Sequence, residues 1–314
     1  MSLDFEKEVA EIESRIEEFK SKNPEPTGTL VKELNRLETE RADKLKEIYA
    51  GLTPWQTVQV ARHPERPLIR DFISGICSEF IELHGDRLFG DDRGMIGGFA
   101  MIDKHRVMVI GHQKGKDLDE KIKCNFGQAC PEGYRKALRL MKLAEKFHMP
   151  VVTFIDTPGA FPGRDAEERG QAEAIARNLL EMAALKTPIV ALVTGEGGSG
   201  GAIGIGVGDV VLMLSNSVYS VISPEGCASI LWRDGTKAAE AANALKITAK
   251  SLLQLKIIDE IIPEPVGGAH RDYAGTMKAT KKTLLKHLES LEKISARKLT
   301  ARRFDKFAAM GRFK

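Results

Sequence analysis

The sequence predicts an α/β protein built on a parallel sheet with helices on both faces. Three short segments, residues 150–155, 188–193 and 209–214, consist almost entirely of apolar residues. Such strands are buried on both sides, because a strand with one solvated face would alternate apolar and polar residues. Amphipathic helical patterns separate the segments, and alternation of strands with helices is typical of a parallel sheet covered on both sides.

The first fifty residues predict two amphipathic helices. Apolar residues recur every three or four positions from Phe5 to Phe19 and again from Leu30 to Ile48, with Arg41 where an apolar residue would be expected. Residues 23–28 contain two prolines, which a helix interior does not accommodate. An antiparallel helical hairpin is therefore expected over residues 1–50. It serves either the packing of this chain or the docking of a partner subunit.

The next hundred residues lead into the sheet. Residues 68–84 resemble a helix, and residues 85–98 contain five glycines and several acids, which predicts a loop and a tight turn. A strand is predicted at 106–110, followed by a helix that Pro131 opens and an apolar stripe continues to residue 147. An alanine-rich stripe predicts a further helix over 172–183, between the first two buried strands.

Composition excludes several classes of protein. The chain has 314 residues, of which 42% are hydrophobic and 29% charged, and this is the composition of a globular domain. A net charge of +3 gives no bulk electrostatic reason for nucleic-acid binding, which is not expected. Neither a signal peptide nor an apolar run of membrane-spanning length is found, so we expect a cytoplasmic protein without membrane association.

Local features of charge and cysteine content have ordinary interpretations. The tail at residues 297–314 is basic, and a charge run of this kind is usually a solvated face, although it would suit a non-catalytic scaffold that binds an acidic partner. The cysteines are too few and too irregularly spaced for a disulfide framework or a zinc site. They are Cys77, Cys124, Cys130 and Cys227.

Function is best sought in two glycine-bearing turns, at residues 156–163 and 195–204. Each follows a buried strand, and ligands of open α/β sheets bind at the carboxyl ends of the strands. Gly195, Gly197 and Gly200 match the G-x-G-x-x-G dinucleotide fingerprint. The context argues against that function, because the following helix would be short and glycine-rich and no acidic residue ends the next strand.

The same turn matches the G-x-S-x-G nucleophile elbow of hydrolases, with Ser199 between glycines. Asp259 and His270 follow in a suitable chain order for a triad. Neither lies at a recognisable strand end, and a serine between glycines is more often there for its small size. A serine hydrolase using Ser199 is nevertheless retained as the alternative function.

A third interpretation needs no particular side chain. Glycines let a ligand approach main-chain N–H groups closely, and a strand followed by a glycine turn and a helix start points unpaired N–H groups at one place. Such a place binds an oxyanion. Close packing of helix and strand without any ligand would also explain the glycines, and this turn alone does not distinguish the two.

Three segments together carry a family resemblance. They read Asp-Thr-Pro-Gly-Ala-Phe-Pro-Gly at 156–163, Gly-Glu-Gly-Gly-Ser-Gly-Gly-Ala at 195–202 and Val-Ile-Ser-Pro-Glu-Gly-Cys-Ala-Ser-Ile-Leu-Trp at 221–232. In this order and spacing they closely resemble the α subunits of the carboxyltransferase of bacterial acetyl-CoA carboxylase. The resemblance extends over essentially the whole chain.

The resemblance implies a crotonase-like fold of repeated ββα units, within the crotonase/ClpP-like superfamily, over residues 51–296, flanked by the N-terminal hairpin and the helical basic tail. It implies transfer of a carboxyl group from carboxybiotin to acetyl-CoA, giving malonyl-CoA, in the first committed step of fatty acid biosynthesis. Biotin would be held covalently by a separate carrier protein, and this chain would hold no metal. The implied partners are a zinc-containing β subunit, with acetyl-CoA and malonyl-CoA at the α–β interface, the biotin carboxyl carrier protein and biotin carboxylase, in an assembly of two α and two β chains.

The resemblance also assigns the site. Gly200 and Gly201 would donate N–H hydrogen bonds to the biotin ureido oxygen, with Ala202 as the substitute if the register slips by one. No protein general base is required, because the biotin nitrogen can itself take the methyl proton. The remaining residues expected to contact biotin are Gly198, Ser199, Gly159, Ala160 and Phe161, with Phe161 packing rather than stacking on the ring.

Overall fold

The computed structural model describes residues 3–311. Its helices are α1 (Lys7–Lys22), α2 (Thr29–Ala50), α3 (Pro54–Ala61), α4 (Ile69–Ile76), α5 (Leu118–Lys123), α6 (Pro131–Lys146), α7 (Arg164–Glu168), α8 (Gln171–Ala184), α9 (Ser199–Ile203), α10 (Pro224–Trp232), α11 (Ala238–Leu245), α12 (Ala249–Gln254), α13 (Tyr273–Leu291) and α14 (Ala296–Ala308). Its strands are β1 (Glu79–Glu82), β2 (Met95–Ile102), β3 (His105–His112), β4 (Val151–Thr157), β5 (Ile189–Gly198), β6 (Val210–Leu214), β7 (Val218–Ser220) and β8 (Glu260–Ile262).

The strands form one sheet in the order β1-β2-β3-β4-β5-β6-β8, and β7 pairs with the end of β5. All pairs from β3 to β8 are parallel, as predicted. Successive residues of β4 point to opposite sides. Val151 and Ile155 belong to the core against α6 and α8, whereas Val152 and Phe154 belong to the core against α4 and α13. The apolar pattern on both faces of these strands thus reflects two helical layers.

The edge formed by β1, β2 and β3 is antiparallel, and the sequence analysis missed it. The prediction of one helix over 68–84 is wrong in its second half, because α4 ends at Ile76 and the edge strand β1 follows. The predicted loop over 85–98 ends early, since β2 begins at Met95. Gly97 and Gly98 are strand residues. A Cβ on Gly98 would lie 2.1 Å from the Ile81 carbonyl oxygen, so glycine here permits close strand approach rather than a turn.

The N-terminal hairpin is confirmed. Helices α1 and α2 bury Ile12, Ile16 and Leu37 between them. The loop that connects the two helices contains the two prolines. The hairpin is fastened to the segment after β8, where the Arg271 guanidinium pairs with the carboxylates of Glu6 at 3.0 Å and Glu13 at 2.6 Å.

The basic C-terminal segment is more than a solvated face. Arg303 in α14 is 1% exposed and pairs with Asp209, the residue before β6, at 2.7 Å. It also donates hydrogen bonds to three main-chain carbonyls at the end of α8 and beyond, those of Met182, Leu185 and Thr187. Arg312 and Lys314, also part of the predicted basic tail, lie outside the described residues. Among residues 3–311, no helix combines the length and apolar character that a membrane span requires.

Candidate active site

The glycine turn is a direct transition from strand to helix. Strand β5 continues to Gly198 and α9 begins at the next residue, Ser199. Ser199 adopts φ +52°, which is uncommon for a residue with a side chain and makes the turn sharp. Its side chain is exposed, whereas Gly201 and Ala202 are buried. The predicted site residues of this turn therefore lie together at the carboxyl end of β5.

Glycine is required where this turn meets the loop after β4. A Cβ on Gly198 would lie 2.3 Å from the Pro158 carbonyl oxygen. A Cβ on Gly201 would lie 2.5 Å from the Gly159 carbonyl carbon and 2.6 Å from the Ala160 nitrogen. All three distances are far below any tolerable contact. The two glycine-bearing turns predicted from the sequence thus pack main chain against main chain.

The Gly200 and Gly201 N–H groups, the predicted hydrogen-bond donors, are left without an acceptor among residues 3–311. Within the described chain, neither the Gly200 nor the Gly201 N–H donates a hydrogen bond to a protein acceptor, as expected in the first turn of a helix. The carbonyl oxygens of the same two glycines, in contrast, accept hydrogen bonds. Gly200 O accepts from the Gly204 N–H at 3.1 Å, and Gly201 O accepts from the Tyr134 hydroxyl at 3.3 Å. Because the Gly200 carbonyl shares its peptide plane with the Gly201 N–H, that plane is held while the Gly201 donor stays unpaired.

The loop after β4 is held by its own hydrogen bonds. The Thr157 hydroxyl donates to Gly159 O at 2.6 Å, and the Phe161 N–H donates to Ala129 O at 3.1 Å. The Gln171 side-chain amide donates to Phe161 O at 3.0 Å. The Phe161 ring packs back on its own loop, with Cε1 2.4 Å from the place of a Cβ on Gly163. These contacts place the loop as a wall beside the turn.

A carboxylate behind the turn joins three strands. Asp156 at the end of β4 pairs with Lys114, which follows β3, at 2.6 Å. The same Asp156 Oδ1 accepts a hydrogen bond from the Glu196 N–H of β5 at 2.8 Å. A Cβ on Gly195 would lie 2.3 Å from this oxygen, so the carboxylate is packed directly on the turn. The neighbouring strand ends are thereby fixed relative to one another.

Arg62, which the sequence analysis missed, joins the second and third motifs. Its guanidinium pairs with the buried Glu196 of β5 at 2.6 Å and with Glu225 in the first turn of α10 at 2.6 Å. These carboxylates are 134 and 163 residues away from Arg62 in the chain. The carboxylates of Asp156, Glu196 and Glu225, near the turn, are thus all engaged in ion pairs.

His112, the last residue of β3, lies buried next to the turn. It is 1% exposed, and neither ring nitrogen has a hydrogen-bond partner among residues 3–311. Burial lowers the pKa of His112 to about 4, although the Asp156 carboxylate and the Gly201 carbonyl act in the opposite direction. The imidazole is therefore neutral at physiological pH.

The triad required by a serine hydrolase is not assembled. Asp259 accepts from the Val211 N–H at 2.6 Å and pairs with Lys306, whereas His270 stacks on His63 with ring centroids 3.9 Å apart. Burial lowers the pKa of His270 to about 3, and neither of its nitrogens has a partner in the described structure. Nothing in this geometry supports Ser199 as a nucleophile.

Residues 3–311 contain no group of three or more His, Cys, Asp or Glu side chains arranged to hold a metal ion.

Structural comparison defines the class. The chain resembles a transcarboxylase 12S structure with a TM-score of 0.59 at 18% identity, over 72% of this chain and 42% of that one. It resembles the β subunit of geranyl-CoA carboxylase from P. aeruginosa with a TM-score of 0.58 at 17% identity, over 79% of this chain and 46% of that one. At such identities the likeness shows the fold alone, and it confirms the crotonase-like fold of the carboxyltransferases.

Sequence comparison defines the family. A model described as "Acetyl co-enzyme A carboxylase carboxyltransferase-like" matches residues 2–311. The acetyl-coenzyme A carboxylase carboxyl transferase subunit alpha of Geobacter metallireducens is 57% identical over 99% of this chain and 98% of its own. The subunit of the same name from Nitrosomonas europaea is 54% identical over 99% and 97%. The chain belongs to the family of acetyl-CoA carboxylase carboxyltransferase α subunits, and it is a subunit of an enzyme of that kind.

The packing of the turn predicts that one added methyl group destabilises the protein at Gly201 but not at Gly200. Gly201→Ala must displace the Gly159–Ala160 main chain, and we expect it to lower the free energy of unfolding by about 1–3 kcal/mol. Gly200→Ala places its methyl 3.7 Å from Ile175 Cδ1, an ordinary contact, and should change stability by less than about 1 kcal/mol. Urea denaturation of both variants checks this. Equal destabilisation would show that the close approach is not the constraint.

Burial of His112 predicts a dependence of stability on pH. In the unfolded chain the His112 imidazole binds a proton below about pH 6.5, whereas in the folded protein it does so only below about pH 4. The free energy of unfolding should therefore fall between pH 6.5 and pH 4, by about 3 kcal/mol from this group at about 1.4 kcal/mol per pKa unit.

Denaturation at several pH values tests this expectation. His112→Met should flatten the slope, whereas His148→Asn, at an exposed position with φ +54°, should leave it unchanged. An unchanged slope in His112→Met would mean that the buried imidazole is not the source.

Proposed function

We propose that this chain holds the biotin end of carboxyl transfer, with Gly200 and Gly201 donating main-chain hydrogen bonds to the ureido oxygen. The observation that carries the proposal is the pair of unpaired N–H groups at the end of β5. Ala202 is the substitute donor if the register differs by one. Gly198, Ser199 and the loop residues Gly159, Ala160 and Phe161 would line the ring.

The site suits a group that becomes negatively charged. When bound as carboxybiotin, the cofactor supplies the carboxyl group and, once that group has left, a nitrogen that takes the methyl proton of acetyl-CoA. The main chain of Gly200 and Gly201 stabilises the charge that develops on oxygen, and one such donor contributes about 3 kcal/mol in other enzymes. At Gly201 the place of a Cβ is already filled by the main chain of Gly159 and Ala160, so this glycine is needed for the packing that holds the donors in place.

Asp156 and Glu196 hold the turn rather than react. Both carboxylates are paired, with Lys114 and Arg62 respectively, and both lie at most 6% exposed. Because these carboxylates are paired and the neutral His112 imidazole is only 1% exposed, the chain stabilises charge and leaves proton transfer to the reactants. Malonyl-CoA is the product, in the first committed step of fatty acid biosynthesis.

The reaction requires partners. The relatives are named as α subunits, and one structural neighbour is a malonate decarboxylase hetero-tetramer in complex with coenzyme A. We propose a zinc-containing β subunit that holds acetyl-CoA and malonyl-CoA at the α–β interface, and a biotin carrier protein served by biotin carboxylase. In support, the end of α10 exposes Ile230 at 71% and Leu231 at 65%, as on a face that a partner covers.

The division into a hairpin at 1–50, a carboxyltransferase domain at 51–296 and a tail at 297–314 stays a prediction. Arg303 of that tail is buried against Asp209, so truncation after residue 296 would uncover a buried carboxylate. The cytoplasmic location also stays a prediction.

Reconstitution with the β subunit tests the function. The chain alone should not form malonyl-CoA from acetyl-CoA and carboxybiotin, and addition of the β subunit should restore turnover. A co-purifying chain with four zinc-spaced cysteines would identify the partner. Full activity of the isolated chain, or none in the assembled complex, would contradict the proposal.

Ser199→Gly separates this function from the hydrolase alternative. The variant removes the hydroxyl, and glycine adopts φ +52° without strain. We expect the turnover of the variant complex to stay within about threefold of the unsubstituted complex, because the proposed carboxyl transfer forms no covalent bond to the Ser199 side chain. Loss of turnover by several orders of magnitude with intact folding would instead identify Ser199 as a nucleophile.

A further inference from the structure

The short helix of the glycine turn is held from behind by side chains of α6 and α8. Helix α9 has only five residues, two of which are glycines, and Gly204 follows it directly. A single helical turn has little stability of its own, and glycine lowers that stability further. The orientation of the N–H groups of α9 therefore depends on the residues that surround the helix.

Asn178, in the middle of α8, binds the end of α9. Its side-chain amide nitrogen donates to Gly204 O at 2.9 Å and to Tyr134 O of α6 at 3.0 Å. Gly204 O accepts no other hydrogen bond within residues 3–311. The orientation of the amide is fixed, because a flipped amide would place its oxygen against two carbonyl oxygens. One side chain therefore joins α6, α8 and the end of α9.

Packing alone does not explain an asparagine at this position. Asn178 is 0% exposed and shares the buried face of α8 with Ala174 and Met182, and its Oδ1 has no hydrogen-bond partner in the described chain. A buried acceptor without a donor costs stability, and an apolar side chain would avoid that cost. The contacts with the main chain of Tyr134 and Gly204 are what only the amide provides.

Tyr134 holds the same helix from α6. Its hydroxyl donates to Gly201 O at 3.3 Å, and this carbonyl accepts no other hydrogen bond among the described residues. The ring lies against Gly204, where a Cβ would be 2.7 Å from Tyr134 Cε1. The Gly204 N–H in turn donates to Gly200 O at 3.1 Å. Contacts that fix Gly204 thus also fix the peptide plane that carries the Gly201 N–H.

We infer that Asn178 and Tyr134 are positioning residues of carboxyl transfer, which act through Gly204 on the N–H donor of Gly201. The inference rests on the proposed function, in which that donor binds the biotin ureido oxygen. Both side chains are fully buried, so neither touches a reactant. Donors that stabilise a developing charge must be in place before it appears. Loss of either contact therefore lowers kcat and leaves the KM for substrate unchanged.

Turnover of the α–β complex, measured as malonyl-CoA formed from acetyl-CoA and carboxybiotin, tests the inference. Asn178→Ala removes both hydrogen bonds of the amide and should lower kcat by about tenfold, the size of one to two hydrogen bonds. Tyr134→Phe removes only the hydroxyl and should lower kcat by about threefold, because the bond that it removes is long. The KM for acetyl-CoA should stay within about twofold in both variants.

Thr187→Val is the matched control. Thr187 is 2% exposed, and its hydroxyl donates to Met149 O at 2.7 Å, at the amino end of β5 and away from the glycine turn. Its loss removes a buried hydrogen bond to the main chain, as Tyr134→Phe does, and should leave kcat unchanged. Urea denaturation compares the stability of the three variants. A fall in kcat in Thr187→Val as large as that in Tyr134→Phe would show that stability alone sets turnover and would overturn the inference.

A second measurement isolates the route through Gly201. In the complex with glycolic acid in place of Gly201, which lacks the N–H donor, Asn178→Ala should change kcat by less than about twofold, because the group that it positions is absent. An unchanged kcat of Asn178→Ala in the unmodified background, or an equal fall in both backgrounds, would overturn the inference alone. If Asn178→Ala does not assemble, Tyr134→Phe decides by the same comparison. Absence of carboxyl transfer in the unsubstituted complex would contradict the proposed function and the inference with it.

Discussion

The approach of Gly198 and Gly201 to the main chain of Pro158, Gly159 and Ala160 is the constraint on which the rest of the site depends. At distances of 2.3–2.6 Å from the position of a missing Cβ, no other residue type fits. The contact brings the carboxyl ends of β4 and β5 together. The first N–H groups of α9 have no internal partners in the described chain because a helix begins there, and through them the turn can stabilise charge without a side chain.

Ion pairs around the turn serve the same geometry. Asp156 fastens β4 to Lys114 and to the Glu196 N–H, and Arg62 fastens Glu196 to Glu225 at the start of α10. Partly buried pairs of this kind add little net stability by themselves, but loss of one member leaves the other uncompensated. Their value lies in orientation. A donor that points at a developing charge must not reorganise when the charge appears.

Several elements could be predicted because their cause is local. The apolar runs of β4 and β5 indicate burial on both faces of the sheet. The two prolines between α1 and α2 indicate a break in the helix that no tertiary contact can remove. The antiparallel edge could not be predicted in the same way. Gly97 and Gly98 look like turn residues, and only the presence of Ile81 beside Gly98 shows that glycine there permits strand contact.

The residues of the candidate site also fall into those that could be predicted from local sequence and those that depend on distant residues. The glycine turns are contiguous in the sequence, so their role as main-chain donors could be inferred from spacing and from a family resemblance. Arg62 could not be found in this way, because its partners are 134 and 163 residues distant and an arginine just after a helix carries no signal of its own. Arg303 was misjudged for a related reason. A basic run looks solvated until the buried Asp209 that receives it is seen.

Replacement of the Gly201 amide by an ester tests the central claim most directly. Glycolic acid at this position removes the N–H donor and adds no atom to the crowded contact with Gly159. The same replacement at Gly28, in the hairpin loop with no neighbour within 4 Å of a Cβ, is the control. In the assembled enzyme we predict a fall in kcat of about 10²–10³-fold at Gly201, the cost of one oxyanion donor, and none at Gly28. Unchanged kcat in esters at both Gly200 and Gly201 would contradict the account.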